Sequence, residues 1–315
     1  MNTELINWLL SGDPSIQFQT KRDLSGSPKK ELEDLQNQIQ YKGWGKMFLS
    51  HQEDSGMWGG DVYSPKWIST HYTLMTLMRL GLPETNQQAR KGCEILLEKG
   101  YYPDGGINHF ASLDHSETCV TAMTLALLCY FNINDDRVTN LKEFVLDQQM
   151  EDGGWNCESF NGAAHSSFHT TLSVLEAIRK HEKMHKNDSQ RIKTARIKAH
   201  EFLLRHHLFR SDKTGEVVDQ RMTRFSFPPR WKYDIMRALD YFQELNVPHD
   251  PRFCDAIFLI KKKEKDGKWL LQQKHPGLVF FDMEKIGQPS RMNTLRALRI
   301  LKWWMKKPEE LRCST

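Results

Sequence analysis

A chain of 315 residues with 39% hydrophobic and 27% charged content can bury a large core, enough for one large domain or two of ordinary size. Its 44 basic and 40 acidic residues leave a formal charge of +4, too little for the global field that draws proteins onto nucleic acid, so no nucleic-acid partner is expected. The opening MNTELINWLLSGDPS has no basic start before an apolar run, and no eighteen consecutive apolar residues occur, so neither secretion nor a membrane span is expected; a cytoplasmic protein is the default, with room left for peripheral membrane contact.

Apolar residues at helical spacing predict a short pair near the N-terminus, about 3–11 and 15–24, followed by a polar helix over 28–50. A more apolar helix runs through Tyr72, Met75, Leu77 and Met78, and a polar one covers 87–99. The alternation continues through Val120, Met123, Leu125, Leu127 and Leu128, then 136–149, then Leu172, Val174, Leu175 and Ile178, then 190–207. It ends with Ile235, Met236, Leu239 and Phe242, then 250–263, then Leu295, Leu298 and Leu301. Strand-like alternation is scarce, so the fold class is all-α, with buried inner helices and amphipathic outer ones in about six hairpins. The six cysteines (93, 119, 129, 157, 254, 313) form no CxxC pair, and a reducing compartment would leave them as thiols. Cys313 stands one place short of a prenylated C-terminal box.

The apolar helices superpose. Aligning THYTLMTL (70–77), TCVTAMTL (118–125) and FHTTLSVL (168–175) puts His71, Cys119 and His169 on one rung, at spacings of 48 and 50 residues; Tyr233 and Met292 fill that rung later. Glycine loops precede these helices at GMWGGD (56–61), PDGGIN (103–108) and EDGGWN (151–156), with a looser copy in KDGKW (265–269). Glycine permits the tight turn from outer to inner helix, and tryptophan can plug the gap between hairpins. About six hairpins with apolar inner helices favour closure into an α/α toroid around a deep apolar funnel.

The segments QEDSGMW (52–58) and QMEDGGW (149–155), with the degenerate KEKDGKW (263–269), resemble the Q-xxx-G-x-W repeat of squalene and oxidosqualene cyclases. The whole chain, residues 1–315, is thereby similar to one toroidal domain of the superfamily that also holds the β subunits of protein prenyltransferases. One fold carries many reactions. Cyclases of this type protonate an alkene with an acid from a D-x-D-D-T box, and Asp114-His115-Ser116-Glu117-Thr118 is similar to it, with Ser116 where the family has its proton donor. On that resemblance Glu117 or Asp114 would be the acid of a terpene cyclase, although a lone Glu is a weak acid for an unactivated alkene.

Prenyltransferase β subunits hold catalytic zinc with an Asp-x-Cys pair at one inner-helix start and a His at a later one. Glu117-Thr118-Cys119 and Phe168-His169-Thr170 are similar to those pieces, which implies zinc held by Glu117, Cys119 and His169, with a fourth position open for water or substrate. His71, on the preceding inner helix, is a further catalytic candidate. Isolated cysteines and histidines are more often buried or bonded to a carbonyl, so the joint spacing carries the reading. Where those enzymes place an Arg and a Lys for diphosphate, this chain has Ala111 and Asp114, and no α subunit accompanies it. Arg230 in FPPRWKYD and Arg291 in GQPSRMNTL precede inner helices and could take the anion role, as could Lys66.

Trp67, Tyr72, Trp231 and Tyr233 are the aromatic candidates for lining the funnel and binding substrate, whereas Trp58 and Trp155 belong to the repeat. The long connection 208–231 is expected to be a lid. The favoured reading is a zinc-assisted, prenyltransferase-like transferase acting on an apolar, isoprenoid small molecule. Terpene cyclisation is the alternative within enzymes, and a non-catalytic lipid- or peptide-binding protein is the alternative outside them.

Overall fold

The computed structural model describes residues 3–186 and 189–306, so Cys313 lies outside the described residues. The elements are α1 (Thr3–Leu10), α2 (Pro14–Thr20), α3 (Lys29–Gln38), α4 (Gly43–Leu49), α5 (Thr70–Leu80), α6 (Gln87–Gly100), α7 (Thr118–Tyr130), α8 (Arg137–Asp147), α9 (Phe168–His185), α10 (Gln190–Arg205), α11 (Ile235–Glu244), α12 (Cys254–Lys262), β1 (Trp269–Leu270), β2 (Pro289–Ser290) and α13 (Arg291–Met305). The two short strands pair antiparallel, Trp269 opposite Ser290. The expected helix over 28–50 is two helices. Gly43 sits at φ +60° and an added Cβ there would lie 2.0 Å from Asp13 Oδ2, the carboxylate that caps α2 at Ser15 and also accepts from Trp44 N at 2.7 Å.

Residues pack into two compact units, one of 47–202 with 277–280, the other of residues up to 46, 203–276 and from 281 onward. In the first unit α7 packs on α9, α8, α6 and α5. All of α5 is buried except Arg79, which pairs with Glu176 of α9 at 3.0 Å, and α7 is buried around its circumference. Helices apolar on every side are interior helices, and the half-buried α6 and α8 are the outer kind, as the alternation predicts.

The glycine loops are built to one plan. Gln52 donates from Nε2 to Gly56 O (2.8 Å) and Gln88 O (2.9 Å); Gln149 does the same to Gly153 O (2.7 Å) and Ala195 O (2.8 Å), tying each turn to the following outer helix. The indoles of Trp58 and Trp155 donate to Phe48 O and Val145 O at 2.8 and 2.7 Å, and both rings are fully buried. In the Asp-Gly-Gly turns the first glycine, 105 or 153, needs positive φ, and the second needs space: a Cβ on Gly106 or Gly154 would lie within 2.7 Å of the Ser116 or Ser166 Cβ.

In the second unit α13 packs on α2, α11 and β1. Trp269 repeats the indole bond, donating to Ile260 O at 2.7 Å. The N-terminal pair finds its neighbour in α13: the Arg299 guanidinium meets Asp240 and, at 3.0 Å, Asp23, while Lys302 Nζ donates to Asp23 O and Leu24 O. Trp303 and Trp304 pack instead on Phe253. The connection 208–231 is pinned to its own unit by Arg210 to Asp255 (2.6 Å) and by Phe225 to Gln272. Cys93, Cys119, Cys129 and Cys157 are free thiols. No helix among the described residues is long and apolar enough to cross a membrane.

Candidate functional site at the start of α7

α7 begins where the second glycine loop turns inward. Asp104 of that loop accepts from both Ser116 N (2.8 Å) and Ser116 Oγ (2.7 Å), and Asp152 of the next loop holds Ser166 in the same two-point way. Ser116, which stands where cyclases carry their proton donor, is therefore a repeat residue that anchors the loop. The next residue, Glu117, is the N-cap of α7 but does not use its side chain to cap the helix, unlike Ser167, Asp234 and Ser290 at the starts of α9, α11 and α13. Its carboxylate makes no hydrogen bond among the described residues and interacts electrostatically with Glu158, His115 and Lys66. Burial, with the Glu158 charge adding to it, raises its proton affinity above that of an ordinary glutamate, against the opposing pull of His115 and Lys66.

Cys119 does not stand alone. Its thiol is hydrogen-bonded to Cys157, from the loop before α9, and that bond together with burial and the Glu117 charge holds Cys119 strongly protonated. Cys157 is shifted the other way: Cys119 first, and the Thr170 hydroxyl, which donates to its sulfur at 3.5 Å, lower its pKa against the effects of burial, Glu117 and Glu158. Both residues are half-buried. Cys157 was not among the sequence-predicted site residues; its only signal was being a second cysteine in the loop leading to His169.

Tyr63, also missed, completes this cluster from the loop before α5. Its ring packs on His71, Tyr72, His109 and Phe110 at centroid distances of 5.1, 5.1, 5.8 and 5.1 Å. Burial raises its hydroxyl pKa well above the usual range, and Tyr72, Cys119 and Glu117 reinforce this electrostatically. Tyr72 is fully buried with Trp67 edge-on at 4.7 Å, and Lys66 lies over the Trp67 ring. The strip 277–280 pairs with this segment through Trp67 N to Leu278 O and Leu278 N to Lys66 O.

The structure thus brings Glu117 and Cys119 together, with Tyr72 and Trp67 nearby through Tyr63. His169 is half-buried in the first turn of α9, and among the described residues no three His, Cys, Asp or Glu side chains converge in a group that could hold a metal ion. Of the set Glu117, Cys119 and His169, the first two act on each other electrostatically, and Cys119 also interacts with Cys157. Asp114 projects into solvent at 99% side-chain exposure, its carboxyl held low by the His115 contact. The remaining predicted residues belong to the other unit. Arg230 is buried in a left-handed conformation (φ +56°), Trp231 lies under Lys232 at 3.5 Å, and Tyr233 is buried with its hydroxyl donating to Leu208 O at 2.5 Å. Arg291 donates to Trp8 O at 3.0 Å and stacks over the Trp8 ring, so it joins the N-terminal pair to α13.

No curated protein matches the chain. Solved structures of similar chains include a protein from Actinoplanes, 14% identical, covering 93% of this chain and 90% of that one at a TM-score of 0.45. They also include the type II terpene cyclase MstE from Scytonema without ligand, 15% identical over 92% of this chain and 88% of that one at a TM-score of 0.46. A variant of that cyclase in complex with geranylgeranyl dihydroxybenzoate is 15% identical over 93% and 87%, also at a TM-score of 0.46. Likeness at this level bears on no residue of the site. Family membership rests on the sequence itself: residues 6–206, more than half the chain, match the prenyltransferase alpha-alpha toroid domain, and this all-helical repeat protein belongs to that family.

Proposed function

We propose that this protein is an enzyme acting on an apolar, isoprenoid substrate, with Glu117, Cys119 and Cys157 as its reacting groups. The observation that carries the reading is the juxtaposition of a carboxylate that leaves its helix uncapped with two hydrogen-bonded thiols, half-buried beside the aromatic cluster of Tyr63, Tyr72 and Trp67. Local rules are broken where chemistry requires it. A glutamate of raised proton affinity is suited to taking up and returning a proton, and a sulfur that accepts from Thr170 and whose pKa is lowered is suited to thiolate chemistry.

These properties favour prenyl-type transfer over cyclisation. Protonation of an alkene needs a strong acid; burial makes Glu117 a weaker one, and Asp114 is in solvent with its proton already lost. Family resemblance implies zinc, and carboxylate with thiolate is a donor chemistry that zinc accepts. No converging triple is formed, so no step is drawn through the metal; elemental analysis of protein purified without chelators checks it directly. The function is tested by extracting copurifying lipid for mass spectrometry and by incubating the protein with farnesyl and geranylgeranyl diphosphates plus thiol acceptors. Turnover that is lost in Glu117→Gln, with melting unchanged, is the expected result. If no isoprenoid binds and Glu117→Gln is indistinguishable from wild type, the chain is a binding protein of another kind.

A further inference from the structure

His71, in the first turn of α5, is completely buried, and His109, in the loop between α6 and α7, is mostly so. Both pack on the Tyr63 ring, and in each burial is the dominant effect, outweighing at His109 the opposing charge of Asp61. None of their four ring nitrogens has a hydrogen-bond partner. Buried polar atoms in native proteins are almost always paired, and each orphan costs about 1–3 kcal/mol. The Tyr72 hydroxyl donates to the Tyr63 hydroxyl at 2.8 Å beside them.

The cluster is built rather than incidental. The His109 ring rests on the bare backbone of Gly100, where an added Cβ would lie 2.3 Å from Cε1 and 2.8 Å from Nδ1. Burial brings His71 to about 3 and His109 to about 4, so both rings are neutral at physiological pH, each with one donor and one acceptor nitrogen. A neutral group that both donates and accepts, a hydroxyl, complements them. The rings of Tyr63, Tyr72, Trp67 and Phe110 make the surroundings apolar.

We infer that His71 and His109 form a binding subsite for the hydroxyl group of an apolar alcohol, beside the cluster of Glu117, Cys119 and Cys157. The inference rests on the proposed handling of an isoprenoid substrate and names the head group recognised. The test compares farnesol with the hydrocarbon farnesene by calorimetry or tryptophan quenching. Wild type should bind farnesol about tenfold more tightly, as one satisfied hydrogen-bonding pair would give. His71→Leu and His109→Leu should each reduce farnesol to the farnesene level while leaving farnesene binding intact, and Gly100→Ala, which displaces the His109 ring, should do the same. His71→Leu should not lower the melting temperature, because it removes unpaired buried atoms; should it fail to fold, His109→Leu and the wild-type comparison decide the matter. Equal binding of the two compounds by wild type, or a preference that survives in His109→Leu, overturns the subsite while leaving the isoprenoid reading intact. Binding of neither compound removes both.

Discussion

Asp104 holds Ser116 by two hydrogen bonds, to its amide at 2.8 Å and its hydroxyl at 2.7 Å. Because Asp152 holds Ser166 identically one repeat later, the position that aligns with a cyclase proton donor belongs to the scaffold of this chain. Ser116→Asp, which restores the cyclase-like box, should therefore set one carboxylate against another and destabilise the protein by about 2–3 kcal/mol. Thermal unfolding checks this. A variant that melts like wild type and cyclises a polyprenyl substrate would return the cyclase reading.

Cys157 should be the reactive thiol. Iodoacetamide at pH 7 is expected to label it ahead of Cys119, which keeps its proton, and ahead of Cys93 and Cys129, whose thiols burial pushes up. The rate should rise with pH through about 7 as the thiolate forms, and Thr170→Val, which removes one donor to the sulfur, should move that rise to higher pH. Peptide mapping after timed labelling reads both. Preferential labelling of Cys119 would mean that Cys119, not Cys157, is the thiol of lowered pKa.

The N-terminal pair should depend on Arg299, whose side chain is only 14% exposed and serves Asp240 and Asp23 together. Arg299→Met removes the cation that the two mostly buried carboxylates share, leaving Asp23 to Arg22 and Asp240 to Arg296, a loss of about 1–3 kcal/mol. Burial favours the protonated Asp23, but the Arg22 and Arg299 contacts outweigh it and hold the pKa below the usual value. A depressed folded-state pKa means that the stabilisation is complete at neutral pH and disappears as pH falls below about 4. In Arg299→Met the folded-state pKa of Asp23 is less depressed, so the loss of stability on acidification should be shallower and the two profiles should converge towards low pH. Urea unfolding between pH 3 and 7 measures it, and coincident profiles would show that the pair contributes nothing.

Gly154 should tolerate no side chain. A Cβ would lie 2.5 Å from Thr171 Oγ1 and 2.7 Å from Ser166, and Thr171 Oγ1 already accepts from Trp155 N at 3.0 Å. Gly154→Ala is expected to cost about 1–3 kcal/mol by overpacking and to loosen Trp155, visible as a red-shifted tryptophan emission. Unchanged emission and melting would mean that the loop relaxes freely.

The sequence alone determined the parts of this protein that are written locally. Helix spans follow from the 3.6-residue period, turns from glycines that need positive φ or bare backbone, and the repeat from Gln, Gly and Trp at constant offsets, since all of these act within a few residues of chain. The shared rung of Cys119 and His169 and the placement of Glu117 at a helix start were legible for the same reason. Tertiary structure alone decided which side chains meet. Cys157 is 38 residues from Cys119, Tyr63 comes from a different loop from His109, and Asp104 reaches Ser116 across a turn, so each contact depends on how inner helices and loops pack rather than on spacing. For that reason the interaction of Cys119 with Cys157 is invisible in the spacing, and the cluster of unpaired buried imidazoles around Tyr63 emerges only once α5 and α7 lie side by side in the core.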